Sequence, residues 1–139
     1  MYLLDTNVVS ELRKATGGRA NPGVVEWANE TSAALLFVSV VSLHELELGV
    51  LLAERSDPSK GEILRAWLGG GVIPAFSERV LPIDAPIVKR AAALHVPDPA
   101  PFRDALIGAT ALVHELIVVT RNARDFKRFG GLEVLNPWT

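Results

Sequence analysis

The sequence predicts an α/β sandwich, a parallel sheet buried between helices. The first observation is a set of short apolar, largely β-branched runs, above all residues 35–41 (LLFVSVV) and 116–120 (LIVVT), each bounded by polar residues. Such runs suit strands covered on both faces. The second is that longer segments at helical spacing separate these runs. The third is size: 139 residues with 49% hydrophobic content fit one compact domain, residues 1–139, built on one core.

Taken in order, residues 2–4 open the chain as a short strand, and a helix containing Val8 and Val9 follows, with Thr6 or Asn7 able to cap it. Residues 22–29 read as a helix and residues 35–41 as a buried strand. From a Ser42 start, Leu43, Leu46, Val50 and Leu51 repeat at helical spacing. Residues 59–68 and 85–95 are further helical segments, with a weaker strand at 81–83 between them. Val96-Pro97-Asp98-Pro99 breaks the chain before a helix behind Pro101, whose stripe is Phe102, Ala105, Leu106, Ala109, Leu112 and Val113. The strand at 116–120 comes next, and residues 133–135 form an edge strand ahead of Asn136-Pro137-Trp138.

Composition excludes several classes. With no cysteine there is no disulfide scaffold, thiolate zinc site or Cys nucleophile, and a reducing compartment fits. The opening Met-Tyr-Leu-Leu-Asp lacks a basic leader, and no apolar run approaches the ~18 residues of a membrane span. A soluble, cytoplasmic protein with no membrane association is expected. Lys and Arg number 14 against 16 Asp and Glu, a formal net charge of -2, so contact with nucleic acid must rest on a local basic patch.

The acids fall at informative places. Asp5 follows the first strand, Glu45 lies in the first turn after the second, Asp104 opens the Pro101 helix, and Asn122 and Asp125 follow the strand at 116–120. The carboxyl edge of an open α/β sheet is where loops converge around a ligand crevice. Taken singly, each residue also reads as a helix cap: Ser42-Leu43-His44-Glu45 has the capping-box pattern, Asn122 can cap the next helix with Asp125 three residues on, and Asp104 complements a helix dipole. If Asp5, Glu45 and Asp104 do converge, their repulsion calls for a compensating cation. An oxygen-only donor set suits Mg²⁺ or Mn²⁺ and argues against zinc or copper.

Four motifs together carry a resemblance: Leu3-Leu4-Asp5-Thr6-Asn7; Ser42-Leu43-His44-Glu45-Leu46 with Gly49; Phe102-Arg103-Asp104-Ala105-Leu106-Ile107; and Val119-Thr120-Arg121-Asn122-Ala123-Arg124-Asp125-Phe126. In this order, over nearly the whole chain and ahead of Asn136-Pro137-Trp138, they resemble the PIN-domain family and, within it, the VapC/FitB-type toxins of type II toxin–antitoxin systems. The resemblance implies a three-layer α/β/α sandwich and a Mg²⁺- or Mn²⁺-dependent endoribonuclease. It implies metal ligation by Asp5 and Asp104 and a third acid, Glu45, that holds or positions the metal and its water. At the fourth position relatives carry an acid where Asn122 stands or where Asp125 stands, and both remain candidates. Thr6, Asn7 and Thr120 match positions that bind water or hold a carboxylate. The implied reaction is attack of metal-activated water on an RNA phosphodiester, leaving 5′-phosphate and 3′-hydroxyl ends. The implied partners are an RNA substrate, a VapB-like antitoxin whose C-terminal segment crosses the crevice, and a second copy in a homodimer.

Around the acids, Arg13, Lys14 and Arg19 on one side and Arg103, Arg121, Arg124, Lys127 and Arg128 on the other are candidates to hold RNA phosphates, or form a solvated helix face. Trp27, Trp67 and Trp138 read as packing residues rather than base-stacking platforms. His44, His95 and His114 share no motif with a partner histidine and read as ordinary helix-surface residues. Other classes fit less of the chain. An aspartate-nucleophile phosphatase wants an acid two residues after the nucleophile, where Asn7 stands. A receiver-type domain wants paired acids after the first strand and a lysine where Thr120-Arg121 is found. A non-catalytic binding module of the same fold remains the main alternative.

Overall fold

In the computed structural model, which describes residues 1–139, five strands form one sheet: β1 (Tyr2–Leu4), β2 (Leu36–Ser39), β3 (Val80–Leu81), β4 (Ile117–Val119) and β5 (Val134–Leu135). The spatial order is β3-β2-β1-β4-β5 and every pairing is parallel, with Leu3 opposite Phe37 on one side and Val118 on the other. Eight helices cross between strands: α1 (Thr6–Arg13), α2 (Pro22–Glu30), α3 (Val40–Ser56), α4 (Pro58–Trp67), α5 (Ile73–Ala75), α6 (Ala85–Ala93), α7 (Phe102–His114) and α8 (Ala123–Lys127). The chain runs from β1 outward through β2 to β3, returns to the other flank of β1 as β4, and ends on β5. The order therefore reverses between β1 and β4, and the crevice outside their carboxyl ends is the expected ligand position.

Alternation along the strands builds the layers. Leu4, Val38 and Val119 face one core with Val8, Val9, Val24, Leu46 and Val50. Leu3 and Val118 face the other with Ile107, Ala111, Phe126 and Phe129. Successive strand side chains point to opposite faces, so a central strand buried on both sides must be apolar at every position, as Leu3 and Leu4 are. A smaller cluster of Ile87, Ala91, Ala105 and Ala109 joins α6 to α7. Helices α3 and α4 approach so closely that a Cβ on Gly61 would lie 2.5 Å from the Cα of Glu54, a contact only glycine permits.

The fold class is the expected one, while several boundaries move. Only residues 36–39 of the 35–41 run are strand: Leu35 closes a short 3₁₀ turn, and Val40 and Val41 are already helical. The reason is Ser39, whose hydroxyl accepts the Val41 amide at 3.0 Å and caps α3, so that the helix starts at Val40, two residues before Ser42. The strand expected at 116–120 is confined to 117–119, the one at 81–83 shifts to 80–81, and the one at 133–135 shortens to 134–135. Phe102, expected in the core stripe of its helix, is exposed at 74%, and so is Leu51, which with Leu48 and Leu52 reads from sequence either as core or as a subunit or antitoxin contact. Both lie on helix faces that turn away from the sheet.

Candidate active site

The site begins at the end of β1. Asp5 leaves the strand in extended conformation and is itself the cap of α1, its Oδ1 accepting the Thr6 amide at 2.7 Å. Thr6 and Asn7, expected as the caps, are instead the first helical residues. Asp5 is fully buried. Its Oδ2 accepts the Thr120 hydroxyl at 2.8 Å, and the Asn7 amide nitrogen lies 3.4 Å away. Thr120, just past β4, also receives the Asn122 amide at 3.0 Å. The reversal between β1 and β4 thus becomes a hydrogen-bonded junction.

Glu45 reaches this junction from α3. It does not fold back on the Ser42 amide as a capping box would: its Oε1 accepts the Thr6 hydroxyl at 2.6 Å and the Arg103 Nε at 2.7 Å. Ser42, read from sequence only as a cap, is buried, and its hydroxyl stands 2.9 Å from that of Thr6. The Ser-x-x-Glu spacing signalled it, but the same spacing describes a capping box, and only the approach of α1 distinguishes the two readings. Asp104 arrives from the first turn of α7 and is mostly buried. Three acids far apart in sequence therefore converge.

They converge on a cation. Arg103, expected on the flank of the crevice, lies in its middle: Nη2 contacts Asp5, Nε contacts Glu45, and Nη1 donates to Asp104 at 2.9 Å. Burial disfavours its charge, but hydrogen bonds and attraction from Glu45 and Asp5 outweigh this and push its pKa further up. Asp104 moves upward from the usual carboxylate range, chiefly through burial. Arg103 opposes the rise, and the charges of Asp5 and Asp125 add to it. No group of three His, Cys, Asp or Glu side chains stands in an arrangement that would itself hold a metal ion. The donor chemistry itself, three carboxylates beside the oxygens of Thr6, Thr120 and Asn7, is that of a hard divalent cation.

A crevice of about 600 Å³ opens beside these residues, lined by Thr6, Asn7, Ser10, Glu11, Lys14, Glu45, Arg103, Arg121, Asn122 and Trp138. Of the expected basic residues, Lys14 and Arg121 line it with Arg103. Arg13 does not, and its guanidinium lies 5.9 Å from the Trp67 ring centre. Arg124 sits outside the lining on the exposed surface of α8. Trp138, read as a packing residue, is half-buried against the core and also forms part of the crevice wall, with Arg121 5.8 Å from its ring centre. Asn122 lines the crevice, and its side chain makes no cap hydrogen bond. Asp125 is exposed, one turn further on, and its charge acts on Asp104. None of the three histidines lines the crevice.

Glu11 fixes the rim. Its carboxylate accepts the Asn21 amide at 2.8 Å and pairs with Lys14 at 3.2 Å, tying α1 to the start of α2. The Asn21 hydrogen bond holds its pKa below the ordinary value, burial opposes, and Lys14 lowers it further. A depressed native pKa gives stability that is present above the unfolded value and lost as pH falls through the native one. Glu11→Gln is therefore expected to lower stability by about 1 kcal/mol at neutral pH. In urea unfolding, the gap from wild type should begin to narrow as pH falls below the ordinary glutamate value of about 4.3 and close only below the lower native one, where the carboxyl is protonated in both states.

A parallel sheet that reverses between β1 and β4, with acids from β1, α3 and α7 meeting at its carboxyl edge, defines a class: the chain belongs to the PIN domain family, whose model matches residues 2–132. It is 35% identical to the VapC ribonuclease Y4jK of Sinorhizobium fredii, covering 99% of this chain and 98% of the relative. It is 33% identical to toxin FitB of Neisseria gonorrhoeae, covering 99% of both. Among solved structures, FitAcB from Neisseria gonorrhoeae superposes with a TM-score of 0.89 at 32% identity over 99% of each chain. No helix is long and apolar enough to cross a membrane.

Proposed function

We propose that this chain is a Mg²⁺- or Mn²⁺-dependent endoribonuclease and the toxin of a toxin–antitoxin pair. The observation that carries the reading is the convergence of Asp5, Glu45 and Asp104 on a single cation at the sheet's switch point. Its relatives support it, since one is named a VapC ribonuclease and another a toxin.

In this reading Asp5 and Asp104 hold the metal, with Glu45 as the third acid. When bound, a divalent ion supplies positive charge to a phosphoryl oxygen and lowers the pKa of water. The chain's own residues do the rest. Asp5, fixed by Thr120 and the Thr6 amide, is an anchor that cannot turn away. Glu45, the most exposed of the three acids at 33%, faces the open crevice and orients water there. Lys14 and Arg121 on the rim hold backbone phosphates flanking the scissile one. Asn122, on the crevice wall, supplies a neutral oxygen at the fourth position, and Asp125 acts from a turn away through Asp104. The absence of histidine from the lining leaves proton transfer to carboxylates and water.

A VapB-like antitoxin and a second copy of the chain are the partners of this reading. Exposed Leu48, Leu51 and Leu52 on α3 and Phe102 at the start of α7 offer the apolar surface such contacts need. The chain is read as a soluble protein of the cytoplasm.

The test is cleavage of RNA by purified protein in Mg²⁺ or Mn²⁺ against an EDTA control, with the 5′-phosphate product identified. A thermal measurement is independent of substrate choice: Mn²⁺ is expected to raise the melting temperature of the wild type more than that of Asp5→Asn. Equal shifts would favour the non-catalytic module, in which the three acids hold Arg103 and the start of α1 rather than a metal.

A further inference from the structure

We propose that Arg103 is the resident counter-ion of the acid crevice, displaced when a divalent cation binds, so that this one side chain sets the chain's affinity for metal. The inference rests on the metal-dependent reading above and adds to it a residue that opposes loading.

The geometry makes the two cations mutually exclusive. Arg103 spends its three guanidinium nitrogens on three different acids, Nη2 on Asp5 Oδ1, Nε on Glu45 Oε1 and Nη1 on Asp104 Oδ1. A hard ion would need oxygens of the same three carboxylates. A divalent ion and the guanidinium standing together among them would bring like charges within contact distance, at a steep Coulomb cost.

The counter-ion role explains how the fold tolerates the site without metal. Asp5 is fully buried, and Asp104 is nearly so beside it. Removing the one cation from such a cluster leaves uncompensated buried negative charge, which is strongly destabilising. Arg103 reduces that repulsion with a group carried by the same chain.

It is also able to leave. Its side chain is 32% exposed, and it opens onto the crevice lined by Lys14 and Arg121. Turned outward, it would join those two residues as a third positive group at the rim, where RNA phosphates are expected. Metal binding would thus convert a charge that neutralises acids into one that attracts substrate. When the binding-competent state is only part of the population, apparent affinity falls by that fraction.

The test compares wild type with Arg103→Gln, both stripped of metal. Calorimetric titration with Mn²⁺ is expected to show binding about tenfold tighter or more in Arg103→Gln, because charged hydrogen bonds no longer compete. In EDTA the variant should melt below the wild type, and saturating Mn²⁺ should close that gap. A second measurement needs no variant: in wild-type protein labelled with ¹⁵N, the Arg103 Nε–H signal should move toward that of a solvent-exposed arginine as Mg²⁺ is added. If Mn²⁺ binds both proteins equally, or binds the variant more weakly, or if the Nε–H signal stays in place while Mg²⁺ binds, Arg103 is not the competitor, and the metal-dependent reading stands without it. If neither protein binds Mn²⁺ and neither cleaves RNA with it, the metal-dependent reading fails and this proposal with it.

Discussion

Asp5→Asn protein is expected to fold normally and to cleave RNA on the order of 10³-fold more slowly than wild type, since stabilisation by a bound metal is worth several kcal/mol and each ~1.4 kcal/mol is a factor of ten in rate. Folding should survive because asparagine is as good a helix cap as aspartate. Its side-chain oxygen can still accept the Thr6 amide that Asp5 now accepts at 2.7 Å. What is lost is a buried negative charge that faces Arg103 and sits beside Asp104. The measurement is kcat on a defined RNA in saturating Mn²⁺, with circular dichroism to establish that the fold is retained. Asp104→Asn is expected to behave alike. Full cleavage by either purified variant would defeat the catalytic assignment and leave the acids as structural partners of Arg103 and α1.

The largest loss of stability is expected from Phe126→Ala, at about 3–5 kcal/mol, the usual cost of emptying an aromatic position in a core. A domain is typically held by only about 5–15 kcal/mol in all. Phe126 is fully buried in the cluster with Leu3, Ile107 and Val118, and meets Phe129 edge to face at 6.2 Å between ring centres. It anchors α8, a five-residue helix too short to persist without tertiary packing. Thr120 and Asn122 lie just ahead of that helix, so the loss should reach the site as well as the core. Urea unfolding gives the stability change, and activity measured well below the unfolding midpoint tells whether the 120–122 turn is still in place. A change under about 1 kcal/mol would mean that the cavity collapses or that the ring is not buried as described.

Much of the architecture could be read directly from residue pattern. The 35–41 and 116–120 runs mark the central strands because residues buried on both faces must be apolar at every position, and this is visible without neighbours. The helix around Ala105 and Ala109 is equally legible from its spacing. Boundaries were less so. Val40 and Val41 look like strand, yet a hydroxyl two residues before Val41 turns them into helix, and apolar composition does not reveal that hydrogen bond. Phe102 looks like core, and Leu51 could be core or contact surface, because a helical stripe shows which residues share a face but not which face another element will cover.

The same division runs through the site. Asp5, Glu45 and Asp104 are singled out by their positions past strand ends and at helix starts, and the amino-acid order alone fixes that they are oxygen donors with no cysteine to compete. Whether Glu45 caps its own helix or crosses to Thr6 depends on the distance between α1 and α3, which is a property of packing. Arg103 shows the limit most plainly. Next to Asp104 in sequence, it reads as one more basic residue on a helix surface, because the charges that hold it come from residue 5, ninety-eight positions away, and from residue 45. Local chemistry is written in the chain and determined the fold class and the donor set. Which charges meet is decided by the sheet order that brings β1, α3 and α7 to one edge, since electrostatic energy depends on separation in space and not on separation along the chain.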